Sequence, residues 1–147
     1  MDDVDKDVLL DLTNLQNGAD SLRTAIDVYH RTGKSHPEDI ALRKVIRAGV
    51  IQNFETIYEL SWKMMKRWLE KNVRADIVSG KPQIELYRRA AEYGLIEDID
   101  GWMDFHRARN RTSHVNGEAL AEEVLQQAMS FQPFVESLLR RLEDSNE

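Results

Sequence analysis

Apolar residues along this chain return every three or four positions, not every second one. Val4, Val8, Leu12, Leu15, Ala19, Leu22, Ile26 and Tyr29 form a single stripe, the pattern of one buried helical face. Thr32-Gly33 is placed to end that helix, because glycine is common just past a helix terminus, and Ser35-His36-Pro37 reads as a loop. A second helix is predicted from about Asp39 to Asn72. Its stripe is Ile46, Val50, Phe54, Ile57, Ser61, Met64 and Trp68, widened by Ile51, Tyr58, Trp62, Met65 and Leu69. So broad an apolar face sets this helix between neighbours. Ser79-Gly80-Lys81-Pro82 then breaks the chain, with Pro82 suited to the first position of a new helix. That third helix is short, with Ile84, Tyr87, Ala91 and Leu95 inward and Gly94 placed as its C-terminal cap. Asp98 and Asp100 can cap a fourth helix carrying Trp102, Phe105 and His106, since a carboxylate at a helix start accepts otherwise unpaired N–H groups. Asn116 can cap a fifth, running to about Leu142 on Leu120, Val124, Ala128, Phe131, Val135, Leu138 and Leu142. Pro133 inside it is predicted to produce a kink, having no N–H and clashing one turn back.

No alternating strand pattern, internal repeat or low-complexity tract interrupts this order. Three long helices and two short ones predict an all-α fold without a sheet, an antiparallel four-helix bundle whose fourth side is made by the two short helices together. The chain of 147 residues is the size of one domain. Its core is expected over about residues 4–142, with a frayed, disordered tail at Glu143–Glu147.

Composition narrows the setting. No stretch reaches 18 apolar residues, so a membrane-spanning helix is not expected. The start, Met1-Asp2-Asp3-Val4-Asp5, is acidic and unlike a signal peptide. Without cysteine there is neither a disulfide nor a thiolate metal site. These features together predict a cytoplasmic protein. The net charge of −6 opposes general nucleic-acid affinity, which rests on neutralising phosphates. RNA contact therefore requires a local basic patch.

One segment supplies it. Arg107-Ala-Arg-Asn-Arg-Thr-Ser-His114 holds three arginines, an asparagine, a serine and a histidine. Four residues separate Arg109 from His114, which on one continuous helix would set them about 140° apart. Asn116-Gly117 is a turn signal, so the helix is expected to end near Ser113, letting His114 fold back toward Arg109. Histidine titrates near neutrality and can move a proton as base or acid. Arginine can grip a phosphate with two parallel hydrogen bonds and stabilise transition-state charge. Spacing alone also fits a plainer reading, an arginine on the carbonyl end of the helix dipole and a histidine capping the turn.

Arg109-Asn110, three more residues, then His114 resembles the signature of HEPN domains. Phe54-Glu55 with Tyr58-Glu59-Leu60-Ser61-Trp62-Lys63, and Tyr93-Gly94-Leu95-Ile96 followed by Trp102-Met103, are similar to stretches of one branch, the nucleotidyltransferase substrate-binding protein family. The resemblance runs from about residue 45 to 130. It implies a HepT-like companion of a separate minimal nucleotidyltransferase, a homodimer, and metal-independent RNA cleavage by Arg109 and His114. Asn110 and Ser113 would support that pair, while Arg107 and Arg111 would bind neighbouring phosphates; the plainer reading of these two is a solvated cationic turn. No cofactor and no metal are implied. HepT-like members carry a tyrosine, the target of AMP transfer by the partner, two residues after the histidine; here that position is Asn116, which has no phenol to modify. The alternative to a ribonuclease is a non-catalytic module that presents a nucleotide or other substrate to the nucleotidyltransferase.

Other candidates carry simpler explanations. His106 could be a second acid or base, but reads as a packed or hydrogen-bonded residue at the core edge. Glu55 and Glu59 could border the site, although Glu59 to Lys63 is the favourable order for a surface ion pair. Trp62, Trp68 and Trp102 could stack a base, but sit at core spacing. Asp98 and Asp100 could hold magnesium, but capping accounts for them. The chain lacks a glycine-rich phosphate loop and the paired aspartates of a nucleotidyltransferase.

Overall fold

The computed structural model describes residues 10–112 and 117–146. Among them are five helices and no strand: α1 Thr13–Ser35, α2 Ile40–Asn72, α3 Gln83–Glu92, α4 Ile99–Thr112 and α5 Glu118–Ser145. The long helices α1, α2 and α5 all pack on one another, and the short α3 and α4 pack together against α2. α4 also reaches α5. This is the all-helical bundle expected, with two short helices completing one side.

Local chemistry fixes most boundaries. The Asp39 side chain accepts from the Leu42 N–H at 3.0 Å, so α2 starts where an N-cap places it. Asp98 does the same for α4, accepting from the Gly101 N–H at 2.8 Å. After α3, Gly94 adopts φ +83°. Its N–H donates to the Ala91 carbonyl at 3.1 Å and that of Leu95 to Ala90 at 2.8 Å, the paired bonds of a glycine-terminated helix end.

Four expectations are corrected. The first helix begins at Thr13, where the Asp11 carboxylate accepts the Thr13 N–H at 3.0 Å; Leu10 and Leu12 are buried but precede the helix, and Val4 and Val8 lie outside the described residues. It continues past Gly33 to Ser35, stopping just short of Pro37. The inward face of α3 is Leu86, Tyr87 and Ala90, not Ile84 and Ala91, which are only partly covered. The tail is not frayed through Asn146: α5 extends to Ser145, and the Asn146 amide clasps the Leu10 backbone, donating to its carbonyl at 3.0 Å and accepting its N–H at 3.3 Å. α5 is continuous through Pro133.

The core centres on interlocked rings. Phe131 of α5 lies 5.0 Å from Phe105, 5.3 Å from Trp102 and 5.4 Å from Phe54, each edge-on. Phe134 adds a contact to Phe105 at 4.8 Å. Edge-to-face pairs contribute about 0.5–1.5 kcal/mol each beyond simple burial. They pin α4 between α2 and α5, and so fix where the last turn of α4 emerges.

Candidate functional site

That last turn carries the basic segment, and its three arginines point to three different partners. Successive helical positions turn by about 100°, so Arg109 faces away from Arg107 and Arg111. Arg109 leans on α2: its Nη1 is 3.6 Å from Glu55 Oε2 and its Nε 3.4 Å from Glu59 Oε1. It also donates to the Thr112 hydroxyl at 3.1 Å. Its Nε is buried and has no hydrogen-bond acceptor among the described residues. The side chain is about a quarter exposed, at 28%, which keeps it reachable from solvent. Arg107 is exposed and paired with Asp104 one turn back at 2.7 Å. Arg111 turns toward α5, donating to Gln127 at 2.7 Å and meeting Glu123 at 3.4 Å. It links α4 to α5.

Glu59 is therefore more than the surface partner of Lys63. Its carboxylate is 4.0 Å from Lys63 and closer to Arg109. The i, i+4 spacing on α2 pointed to Lys63; the cross-helix partner appears only once α4 is packed alongside.

A second set of groups lies behind Arg109. His106 Nδ1 is 3.0 Å from the Tyr58 hydroxyl. Tyr58 in turn meets the Tyr87 hydroxyl, and Gln83 Nε2 donates to Tyr87 at 3.1 Å. On its outer side, His106 Nε2 is 3.4 Å from Asn110 Nδ2. His106 is thus a hydrogen-bonded residue at the core edge, as its position suggested. Burial lowers its pKa below the usual histidine value, against the pull of Glu59 and with a smaller push from Arg107. Loss of water likewise drives the Tyr58 phenol far above its ordinary range and that of Tyr87 up to about 12; both stay protonated at neutral pH.

Ser113, His114 and Asn116 lie outside the described residues, so Arg109 is the one member of the Arg109/His114 pair whose surroundings are described. Trp102 is buried, and Trp62 and Trp68 pack partly against the core, with the Trp68 indole N–H donating to Ser145 at 2.7 Å. Asp98 is taken up by its cap. Among the described residues no group of three His, Cys, Asp or Glu side chains is arranged to hold a metal ion, and no helix is long and apolar enough to cross a membrane.

The sequence and its all-helical bundle match known proteins. Residues 10–144 match the family described as nucleotidyltransferase substrate binding protein like. A protein of Haemophilus influenzae named probable ribonuclease HepT is 37% identical over 101 residues, covering 68% of this chain and 69% of that protein. A solved structure from the same organism, described as the fold of a substrate-binding domain of a nucleotidyltransferase, superposes with a TM-score of 0.84 at 30% identity. It covers 90% of this chain and 99% of its own. The chain belongs to the nucleotidyltransferase substrate-binding protein family.

Proposed function

We propose that this protein is the HepT-like companion of a minimal nucleotidyltransferase and a metal-independent endoribonuclease, with Arg109 and His114 as its catalytic residues. The observation that supports this best is the state of Arg109. Its guanidinium is partly desolvated, its two carboxylate contacts are at 3.4 and 3.6 Å, and its buried Nε has no acceptor among the described residues. Strong arginine–carboxylate bonds run at about 2.7–2.9 Å. A guanidinium so loosely held can turn to an incoming phosphate.

In the reaction, His114 takes the proton from a ribose 2′-OH. The 2′-oxygen bonds to the adjacent phosphorus, the P–O5′ bond breaks, and the departing 5′-oxygen gains a proton. Arg109 holds the phosphate and offsets the charge that builds on it. Asn110 and Ser113 flank the pair in support. Arg107, exposed beside Asp104, and Arg111, turned toward α5, face away from Arg109 and bind other phosphates of the same RNA strand. Products carry a 2′,3′-cyclic phosphate and a 5′-hydroxyl, and DNA, lacking the 2′-OH, is inert. End-group analysis of cleaved RNA beside a DNA control tests this; 3′-hydroxyl ends or cleavage of DNA would contradict it.

The partner is a separate nucleotidyltransferase carrying the carboxylates this chain lacks, and the protein works in the cytoplasm as a homodimer with its sites near the dimer cleft. Position 116 receives no AMP. Co-expression followed by intact-mass measurement with ATP checks both points: a co-purifying complex is expected, and an adduct on Asn116 would overturn the second. A second reading has its own support. Arg107, Arg109 and Arg111 all have carboxylate neighbours, which suits a module that binds a nucleotide reversibly and hands it to the transferase.

A further inference from the structure

The face of α2 that meets Arg109 continues past it. Successive helical positions turn by about 100°, so Glu55, Glu59, Trp62 and Lys66 fall within about 60° of one another. Trp62 follows Glu59 by about 4.5 Å along the axis and Lys66 by about 10.5 Å. One stripe therefore runs from the carboxylates at the guanidinium to an indole and then to a cation. Its far end opens into a cleft of about 210 Å³, lined by Trp62 and Lys66 of α2, Lys81 of the following loop and Leu86 of α3. Val78 joins Leu86 there, and both are buried, so the cleft has an apolar wall.

Trp62 packs only partly against the core. Lys63 Nζ stands 5.7 Å from the centre of its ring. That lysine is exposed and reaches Glu59 only at 4.0 Å, so it can yield the indole to a better partner. Lys66 and Lys81 bring charge without a carboxylate to balance it: among the described residues neither forms an ion pair. Glu85, one turn past Lys81, is taken by Arg88 at 2.6 Å. In a chain of net charge −6, two unpaired cations beside an indole are suited to an unpaired nucleotide, since every base has a face to stack and every phosphate attracts a cation.

We propose that this cleft is a nucleotide subsite for single-stranded RNA: Trp62 stacks the base of a nucleotide next to the phosphate held by Arg109, and Lys66 and Lys81 take that nucleotide's outer phosphate. This rests on reading the Arg109 site as one for an RNA phosphate. The cleft is smaller than the roughly 300–1,000 Å³ that enclose a whole small ligand, so it fits one base of a strand better than a free nucleotide. Stacking tolerates any base, whereas a duplex keeps its bases paired and offers none to the indole. The subsite selects unpaired RNA, not a sequence.

The test is affinity for a short 2′-O-methylated single strand, which cannot be cleaved, read by fluorescence anisotropy. Trp62→Leu should weaken binding by about tenfold, and Trp62→Phe, which keeps an aromatic face, by much less. An abasic strand of the same length should bind the wild type about tenfold more weakly but bind Trp62→Leu with little further loss. Lys66→Gln and Lys81→Gln should each cut the slope of log affinity against log salt by about 0.7, the value for one phosphate contact on a single strand. These two substitutions leave the core untouched and decide the matter should Trp62→Leu fail to fold. Equal affinity of Trp62→Leu and wild type, or unchanged salt slopes in both lysine variants, while Arg109→Ala loses binding, would overturn the subsite and leave the Arg109 site standing. A wild type that does not bind this RNA overturns both. The expected losses in a protein that leaves natural RNA intact would support the subsite and remove only the ribonuclease reading.

Discussion

Arg109 shows how far a single residue could be read before the fold was known. Its type and the family resemblance of the Arg109-Asn110 to His114 string marked it as a phosphate ligand; Glu55 and Glu59 were readable only as a border of the site, and no local spacing put them on the guanidinium. Their contacts cross from α2 to α4, and cross-helix contacts leave no local spacing to read. The consequence is competition: a phosphate must draw Arg109 from two carboxylates. Partly exposed ion pairs are worth about 0.2–1 kcal/mol each. Glu55→Gln or Glu59→Gln should therefore raise affinity for 2′-O-methylated RNA by about two- to fivefold, read by fluorescence anisotropy at constant salt. Weaker binding would mean the carboxylates orient the guanidinium more than they occupy it. Arg109→Lys should lose binding, since an ammonium cannot reproduce the planar fork. His106 adds a pH dependence. Its folded pKa lies below its unfolded value of 6.5, so the unfolded chain takes up the proton first as pH falls. Stability from this group is complete above about 6.5 and is lost below it, down through the lower folded value. Urea midpoints across that range should fall toward acid in the wild type and fall less in His106→Asn.

At the scale of the element, caps were legible and faces were not always so. Asp39, Asp98 and Gly94 mark helix ends by chemistry carried in one or two residues, and each does so in the structure. α3 was harder because its apolar residues crowd both sides of ten positions; Leu86 and Ala90 face inward because of where α2 and α4 lie. The start of α1 was overrun because the stripe continues upstream, whereas the Asp11 side chain turns the backbone at Thr13. α4 depends on a close approach. A Cβ at Gly101 would come within 2.7 Å of both the Asp98 carboxylate and the Phe134 ring. Gly101→Ala should disturb the cap and the aromatic packing together and destabilise by about 1–3 kcal/mol, the usual cost of overpacking, measured by urea denaturation. A neutral or stabilising result would show that α4 can shift without cost.

Across the whole molecule, periodicity was enough for the bundle, because each long helix carries one continuous stripe and the helices have few ways to bury it. The clasp between Asn146 and Leu10 was not legible, since it joins the two ends of the described chain. Nor was the tie between α2 and α5, where Arg47 meets Glu118 at 2.8 Å and Glu122 at 3.3 Å, with Lys44 at 3.4 Å from Glu118. The Arg47 hydrogen bond draws the Glu118 carboxyl down to about 2. A depressed carboxylate stabilises above its unfolded value, here 4.5, and that support is lost as pH falls toward 2. Because Glu118 is exposed, salt should weaken the tie as well. Acid unfolding of Glu118→Gln should therefore begin from a lower stability at neutral pH and show a shallower loss below 4.5; an unchanged acid profile would count against the tie.

The central claim, that Arg109 and His114 form a metal-independent ribonuclease site, meets its most direct test in one assay. Purified protein is incubated with a panel of RNAs in EDTA, wild type beside His114→Ala. The account predicts cleavage by the wild type and a loss of about 10²–10⁴-fold when the histidine's proton transfer is removed. Equal cleavage by both proteins, or none by either across varied RNAs, would contradict it and leave the substrate-presenting module as the reading that stands.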